Sequence, residues 1–460
     1  EAGTRSCGPC FFVPGSRHIR IKKMIIREEE EMKLVIRNVE TKISRIRYTL
    51  EKMVERDHPY AQKMKEFGVK PEHIKTARDM QLLPYTTKQD LQNHYPLGWL
   101  NVDRKHVVRF HATSGTTGNP TVVCYTQNDI KMWSECGAWC LGLAGLDEWD
   151  TLQVSYGYGL FTGGLGMHYA GERRGLAVIP ASGGATEKQV RMIKEMGVTA
   201  LACTPSYALR ISEVWDDIDP NRFSNGGTKL KIGIIGAEPW SEGLRKRLEE
   251  KLGIKALDIY GLSEAMGPGV AMECVHQSGL HVNDEAFLPE VIHPETLKNM
   301  EDGEEGELVL TSIKKEAYPI IRYRTRDRTR ILPGPCPCGD PSVRIDRIGG
   351  RTDDMLIVRG VNVFPSQVEA AICRVKDLTP NFVIDVWKKD GMDEIEITCE
   401  RAPESSASNL DHIRNETKKR LKDSLGVNIE VNIAEPDTIP RSEGKAVRLR
   451  RHKEPHGEKI

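Results

Sequence analysis

The 460-residue chain holds no run of 18 apolar residues, so nothing in it predicts a membrane-spanning helix. It also lacks net charge, because 66 Lys and Arg balance 66 Asp and Glu. Nucleic-acid and membrane-surface proteins draw affinity from excess positive charge, so both partner classes are set aside. The opening residues lack the basic, apolar and small-residue succession of a secretory signal, which predicts a cytoplasmic protein. The 11 cysteines, scattered from Cys7 to Cys399, are odd in number and read as reduced thiols rather than a disulfide framework. Cys7-Gly8-Pro9-Cys10 has the letters of a redox pair but neither the strand before it nor the helix after it.

What is present begins with Ala112-Thr113-Ser114-Gly115-Thr116-Thr117-Gly118-Asn119-Pro120-Thr121, between the apolar runs at 107–110 and 122–124. Glycines let a backbone approach an anion, and hydroxyls with consecutive N–H groups donate to phosphate oxygens. The loop is a phosphate cradle in composition, with a flexible polar turn as the alternative. It is not a Walker A element, which needs Lys and a hydroxyl where Asn119 and Pro120 follow Gly118.

A chain this long divides into at least two domains. From Met32 to Met53 apolar residues recur at three- and four-residue spacing, which predicts one long amphipathic helix. Beyond the loop, apolar runs at 152–154, 176–179, 200–204, 232–236 and 256–260 alternate with helical stretches such as 186–196 and 241–252. Alternation of that kind predicts an α/β fold with a largely parallel sheet and ligands at the strand ends. Gly236-Ala237-Glu238-Pro239 and Tyr260-Gly261-Leu262-Ser263-Glu264 occupy two such ends, and the Glu264 carboxylate suits a hard Mg²⁺. Arg322 to Asp327 follows a predicted strand at 306–311, and salt bridges to Arg324 or Arg326 are the plain alternative for Asp327. After the Gly-rich segment at 347–365, shorter elements alternate and predict a small α+β unit. Cys336-Pro337-Cys338 with Cys274 and His281 offers four ligands for a tetrahedral structural Zn²⁺, with His276 as the competing histidine.

The loop, the Gly-Ala-Glu-Pro segment, the Tyr-Gly-x-Ser-Glu segment, Asp327 and Ile439 to Lys445 stand in the order of the adenylate-forming superfamily, which this chain resembles. Ser155 to Gly166, Tyr260 to Ala271 and the Cys-x-Cys-Gly turn look like its phenylacetate–CoA ligase family, over about residues 55 to 450. Thr121 stands where many members carry Lys.

Residues 1–25 show no period and read as an atypical, disordered leader, where the chain departs from the family's usual opening; the resemblance implies an N-terminal domain of 26–352 with mainly parallel sheets and a mobile C-terminal lid of 353–460 hinged at Asp353. It implies ATP-dependent adenylation of an aryl acid, then transfer to CoA. Thr113, Ser114, Gly115, Thr116, Thr117 and Gly118 are then assigned to the phosphates, Gly236, Ala237, Glu238 and Pro239 to the adenine side, and Asp327 to the ribose hydroxyls. Asp258, Tyr260, Gly261, Ser263, Arg347 and Arg351 join the ATP site, Glu264 and Lys445 are catalytic, and Tyr158, Phe161, Gly164, Ala265 and Gly267 line the aryl pocket. A homodimer is expected from the same resemblance. Two other readings are an adenylyltransferase with a different acceptor and a zinc-stabilised nucleotide-binding protein without catalysis.

Overall fold

The computed structural model describes residues 39–113, 119–221, 223, 227–352, 355–358, 361–389, 392–442 and 446–452. The first 25 residues, Met32 and Val35 lie outside that range. Residues 39–55 are helical and bury Ile43, Ile46, Leu50 and Met53 of the predicted stripe, whereas Val39, in the first turn described, is exposed. A hairpin of β1 (Arg109–Ala112) and β2 (Val122–Tyr125) follows.

Strands β3 (Thr151–Val154), β4 (Ala177–Ile179), β5 (Ala200–Cys203), β6 (Ile232–Gly236) and β7 (Lys255–Leu262) then alternate with helices Gly163–Arg174, Thr186–Glu195, Pro205–Ile218 and Glu242–Leu252. β5 and β6 are buried at every position, which is why they read as unbroken apolar runs: helices cover both faces of a parallel sheet. Helix starts follow from capping. Thr204 Oγ1 accepts from Tyr207 N ahead of Pro205, and Ser241 Oγ accepts from Leu244 N.

The chain next forms β8 (Gly267–Glu273), β9 (Leu280–Val282), β10 (Phe287–Ile292), β11 (Gly306–Ser312), β12 (Tyr323–Thr329), β13 (Ile331–Leu332), β14 (Arg344–Ile345) and β15 (Gly350–Arg351). A nine-stranded sheet runs β13-β14-β9-β8-β7-β6-β5-β3-β4. It is parallel from β4 to β7, as the βα alternation predicts, and antiparallel from β7 to β13, where no helix intervenes between strands. β10-β11-β12-β15 is a separate antiparallel sheet.

From residue 356 the chain builds its own sheet, β17-β16-β19-β18-β21 with β20 beside β19. Its strands are β16 (Leu356–Val358), β17 (Val361–Val363), β18 (Leu378–Lys389), β19 (Met392–Arg401), β20 (Glu430–Ala434) and β21 (Leu449–Arg451). Helices Pro365–Ile372 and Leu410–Leu425 complete it, and its apolar cluster, from Leu356 to Val431, draws on no residue before 356. No helix among the described residues is long and apolar enough to cross a membrane.

His58 gives the N-terminal helices a pH dependence. Its Nδ1 accepts from Tyr60 N at 3.1 Å, and its Nε2 lies 3.0 Å from the Trp99 carbonyl, a pairing that requires the neutral Nε2–H tautomer. Burial pushes the imidazole down to about 4 from 6.5, against the opposing pull of the Trp99 carbonyl. Between those values the unfolded chain binds a proton that the folded one excludes, so this site loses stability as pH falls through the window. Desolvation holds the carboxyls of Asp129, Glu238, Glu273 and Asp284 above their ordinary range, which acts in the opposite sense. His58→Asn keeps a capping acceptor but not the titration. The stability advantage of the parent over this variant is expected to shrink by about 2 kcal/mol between pH 7 and pH 4.5, read from urea midpoints. An advantage that stays constant over that range would refute the assignment.

Candidate active site

Parallel β5, β6 and β7 deliver three loops side by side. Glycine is required at two positions there. A Cβ on Gly236 would sit 2.2 Å from the Ile259 carbonyl oxygen, and one on Gly261 would sit 1.9 Å from the carbonyl oxygen of Gly267. Gly261 lies at the irregularity where β7 pairs with β8, so the chain can turn there only without a side chain. Ala237, next to Gly236, is held at φ +70°, a left-handed conformation that costs an alanine about 1 kcal/mol.

The polar groups of these loops are interlocked. The Tyr260 hydroxyl donates to Asp327 Oδ2 at 2.5 Å, and Arg351 Nη1 lies 3.9 Å from Asp327 Oδ1. β12 alternates strictly, so Tyr323, Thr325 and Asp327 share its buried face while Arg324, Arg326 and Arg328 point to the other. Arg324 and Arg326 therefore pair with Glu307, at 2.6 and 3.6 Å, and not with Asp327. Arg347 donates to Asp258 Oδ2 at 3.0 Å, to the Trp240 carbonyl at 2.8 Å and to Glu242, with its guanidinium 4.6 Å from the Trp240 ring centre. Behind it, fully buried Glu273 accepts from Arg245 at 2.9 Å and from Asp258 N at 2.8 Å. Glu238 accepts from Ser206 Oγ, 2.8 Å from both of its oxygens, and from the backbone N–H of Ala446.

The β1–β2 hairpin meets the same region from the side. Thr113 N donates to Thr121 O at 3.0 Å, Thr121 N donates back to Thr113 Oγ1 at 3.0 Å, and Ala112 N donates to Leu160 O at 2.9 Å. Ser114 to Gly118 lie outside the described residues, as do Asp353 and Lys445. Thr162 Oγ1 is 3.3 Å from Ser263 Oγ, which ties the 158–162 segment to the loop that carries Glu264.

Of the residues expected around an aryl ring, Phe161 is exposed, and Tyr158 is half-buried with its hydroxyl 3.3 Å from His168 Nδ1. Gly164 and Gly267 are points of close packing, against backbone at 164 and side chains at 267, rather than open space. A Cβ at 164 would lie 2.7 Å from Gly157 O, and one at 267 would lie 2.7 Å from both Thr162 Cβ and Trp133 Cζ2. Ala265 is buried, and its carbonyl accepts from Lys315 Nζ at 2.6 Å.

Sequence reasoning missed two of these groups. Lys315 is buried against Tyr125, donates to the carbonyls of Glu264 and Ala265, and is pushed down to about 8 by burial, with Asp129 and Glu264 opposing the shift. In sequence it sits in Lys314-Lys315-Glu316 and reads as solvated charge. Ser206 did leave a signal, since Thr204-Pro205 after an apolar run marks a helix start at a third strand end.

A cluster of soft ligands lies on the antiparallel flank. The ligand atoms of Cys274, His281, Cys336 and Cys338 are all within 4.8 Å of one another. Cys274 Sγ lies 3.6 Å from Cys336 Sγ, and Cys338 Sγ lies 3.4 Å from His281 Nε2. Sulfurs on a tetrahedral zinc, with bonds of about 2.3 Å, stand about 3.8 Å apart, so the donor set fits. His281 Nδ1 faces Ser342 Oγ at 2.9 Å and Asp340 at 3.4 Å, the outer contacts that orient a ligating imidazole. His276 is exposed and outside the cluster.

Residues 24–314 match the family model for AMP-binding enzymes, and residues 360–453 match that for the AMP-binding enzyme C-terminal domain. The chain is 45% identical over 410 residues to the phenylacetate-coenzyme A ligase of Pseudomonas putida, covering 88% of this chain and 92% of that one. It superimposes with a TM-score of 0.83, at 26% identity and 89% coverage of both chains, on 2-hydroxyisobutyryl-CoA ligase in its postadenylation state with 2-HIB-AMP. Against the same enzyme in its thioesterification state with 2-HIB-AMP and CoA, the TM-score is 0.66 at 26% identity, covering 91% of this chain and 90% of that one.

The glycine geometry predicts a sharp contrast. Gly261→Ala is expected to destabilise the protein by about 1–3 kcal/mol, because backbone on both sides would have to shift. Gly157→Ala, which has open space around its Cβ, is expected to change stability by less than about 0.5 kcal/mol. Equal urea midpoints for the two variants would contradict the close approach of β7 and β8.

Proposed function

Starting from the fact that the chain belongs to the AMP-binding enzyme family, alongside the phenylacetate-coenzyme A ligases, we propose that it is an ATP-dependent ligase that charges a phenylacetate-like aryl acid with AMP and passes the acyl group to CoA. The observation that carries this reading is that Gly236, at the end of β6, pairs with β7 beside Tyr260, whose hydroxyl reaches across to Asp327 of β12, with Arg351 beside the carboxylate. Asp327, held through Oδ2 by the Tyr260 hydroxyl, is the carboxylate that takes the ribose hydroxyls. Thr113 to Gly118 take the phosphates, Gly236 to Pro239 face adenine, and Asp258, Gly261, Ser263, Arg347 and Arg351 complete the nucleotide site. Glu264 would hold Mg²⁺, which would offset the phosphate charge.

In the first half-reaction a carboxylate oxygen of the acid attacks the α-phosphorus of ATP. The bond from that phosphorus to the bridging oxygen breaks, and pyrophosphate leaves. Lys445 supplies a mobile positive charge to the phosphorane-like transition state. In the second, the CoA sulfur attacks the acyl carbon and AMP departs with the electron pair of the broken C–O bond. The division into a leader of 1–25, a domain of 26–352 and a lid of 353–460 turning at Asp353 belongs to this reading. So do a homodimer, a cytoplasmic location and an aryl slot near Tyr158, Phe161, Gly164, Ala265 and Gly267. Cys274, His281, Cys336 and Cys338 would hold a structural Zn²⁺ that joins β8 and β9 to the 336–338 turn.

Aryl-acid-dependent exchange of pyrophosphate into ATP is expected with at least one of phenylacetate, hydroxyphenylacetates, indoleacetate and benzoates. Lys445→Ala is expected to lose that exchange by about 100-fold or more yet still convert supplied acyl-adenylate to thioester. No exchange with any of these acids, or equal loss of both half-reactions, would overturn the assignment. For the metal, elemental analysis of purified protein is expected to return about one zinc per chain, lost in a Cys336→Ser/Cys338→Ser variant. A zinc-free preparation with the parent's thermal stability would remove the metal from the account.

A further inference from the structure

Arg441 and Ala446 are each held by the N-terminal part of the chain. Arg441 makes a two-pronged pair with fully buried Glu400 of β19, at 2.7 and 2.8 Å, so its guanidinium is fixed within the C-terminal unit. The same guanidinium reaches across to helix Pro205–Ile218, with Nε 3.1 Å from Glu213 Oε2. Glu213 is also approached by Asn381 Nδ2 at 3.5 Å and by Arg210 of its own helix at 3.4 Å. On the far side, Ala446 N donates to Glu238, which Ser206 holds. Between these points lies a crevice of about 240 Å³, lined by Ser206, Glu213, Arg441, Ser442 and Ala446 among others.

The two contacts differ in kind. The Arg441–Glu400 pair lies within one unit and is insensitive to how the units are oriented. The Glu213 and Glu238 contacts cross between units, so they depend on how the units are oriented. That orientation superimposes better on the relative in its postadenylation state, at 0.83, than on the same relative in its thioesterification state, at 0.66.

We infer that Glu213 is a positioning residue: its pairing with Arg441, together with that of Glu238 with Ala446 N, forms a clamp between the two units that holds the orientation used for adenylation and opens before thioester formation. The inference rests on the ligase reading. Glu213 is partly exposed and touches no reacting atom, so its removal alters the balance between two orientations rather than the chemistry.

The test uses the full chain and the variants Glu213→Gln and Glu213→Lys, followed by two readouts. In the first, pyrophosphate exchange is expected to fall about two- to fivefold in Glu213→Gln and further in Glu213→Lys, while conversion of supplied acyl-adenylate by CoA is unchanged or faster. In the second, which needs no substrate, hydrogen exchange in peptides covering 205–218 and 436–452 is expected to accelerate in both variants with an unchanged thermal midpoint. Equal loss of both half-reactions, or unchanged exchange in those peptides, would overturn the clamp. A parent enzyme that exchanges no pyrophosphate with any aryl acid overturns the ligase reading instead, and the peptide measurement still decides the clamp.

Discussion

Two buried carboxylates beneath the strand ends, Asp258 and Glu273, hold the site together. They lie on neighbouring strands, and each is met by an arginine from elsewhere: Arg347 for Asp258 and Arg245 for Glu273. Removing one partner of such a pair strands a charge in a poorly solvated place, at about 3–5 kcal/mol, so the four positions move together or not at all. Through them β7, β8, helix Glu242–Leu252 and the segment after β14 are fixed in one arrangement. The glycines at 236 and 261 then let backbone replace side chain where β6, β7 and β8 come closest. Tyr260 can reach Asp327 at 2.5 Å because this scaffold leaves it little freedom.

The C-terminal unit is built on the opposite principle. Its interior is continuous, and Arg441 with Glu400 ties its sheet to the strand-loop before Ala446. Its contacts with the rest of the chain among the described residues include polar ones, such as Arg441 to Glu213, Ala446 to Glu238, Arg247 to the Leu378 carbonyl and Glu369 accepting from Ser241 N at 2.7 Å, beside Cys373 packed on the apolar cluster of the N-terminal part. Polar contacts at a partly wet boundary exchange readily for water, whereas a shared apolar core would not.

The antiparallel flank has a third design. β8, β9 and β14 are neighbours in the sheet with no helix between them along the chain, and the Cys274, His281, Cys336 and Cys338 cluster draws ligands from β9, the turn after β8 and the turn before β14. The sulfurs are inert as packing groups but well placed as ligands, and Asp340 and Ser342 stand behind the imidazole.

The sequence by itself determined the βα alternation, the long amphipathic helix and the order of the loops, because each is written in local periodicity and in capping residues such as Thr204-Pro205 and Ser241. The Cys-x-Cys turn and its two upstream partners were likewise legible from ligand type and spacing, though not the choice of His281 over His276. That choice needed β9 to carry His281 inward while His276 stayed at the surface. Tertiary structure alone decided that Lys315 is buried and that Asp327 answers to Tyr260 and Arg351 rather than to Arg324 and Arg326. It alone brought Glu213 within reach of Arg441, 228 positions away. The reason is common to all three: a charge run looks the same in sequence whether water or another chain segment receives it, and only packing between distant elements selects the partner.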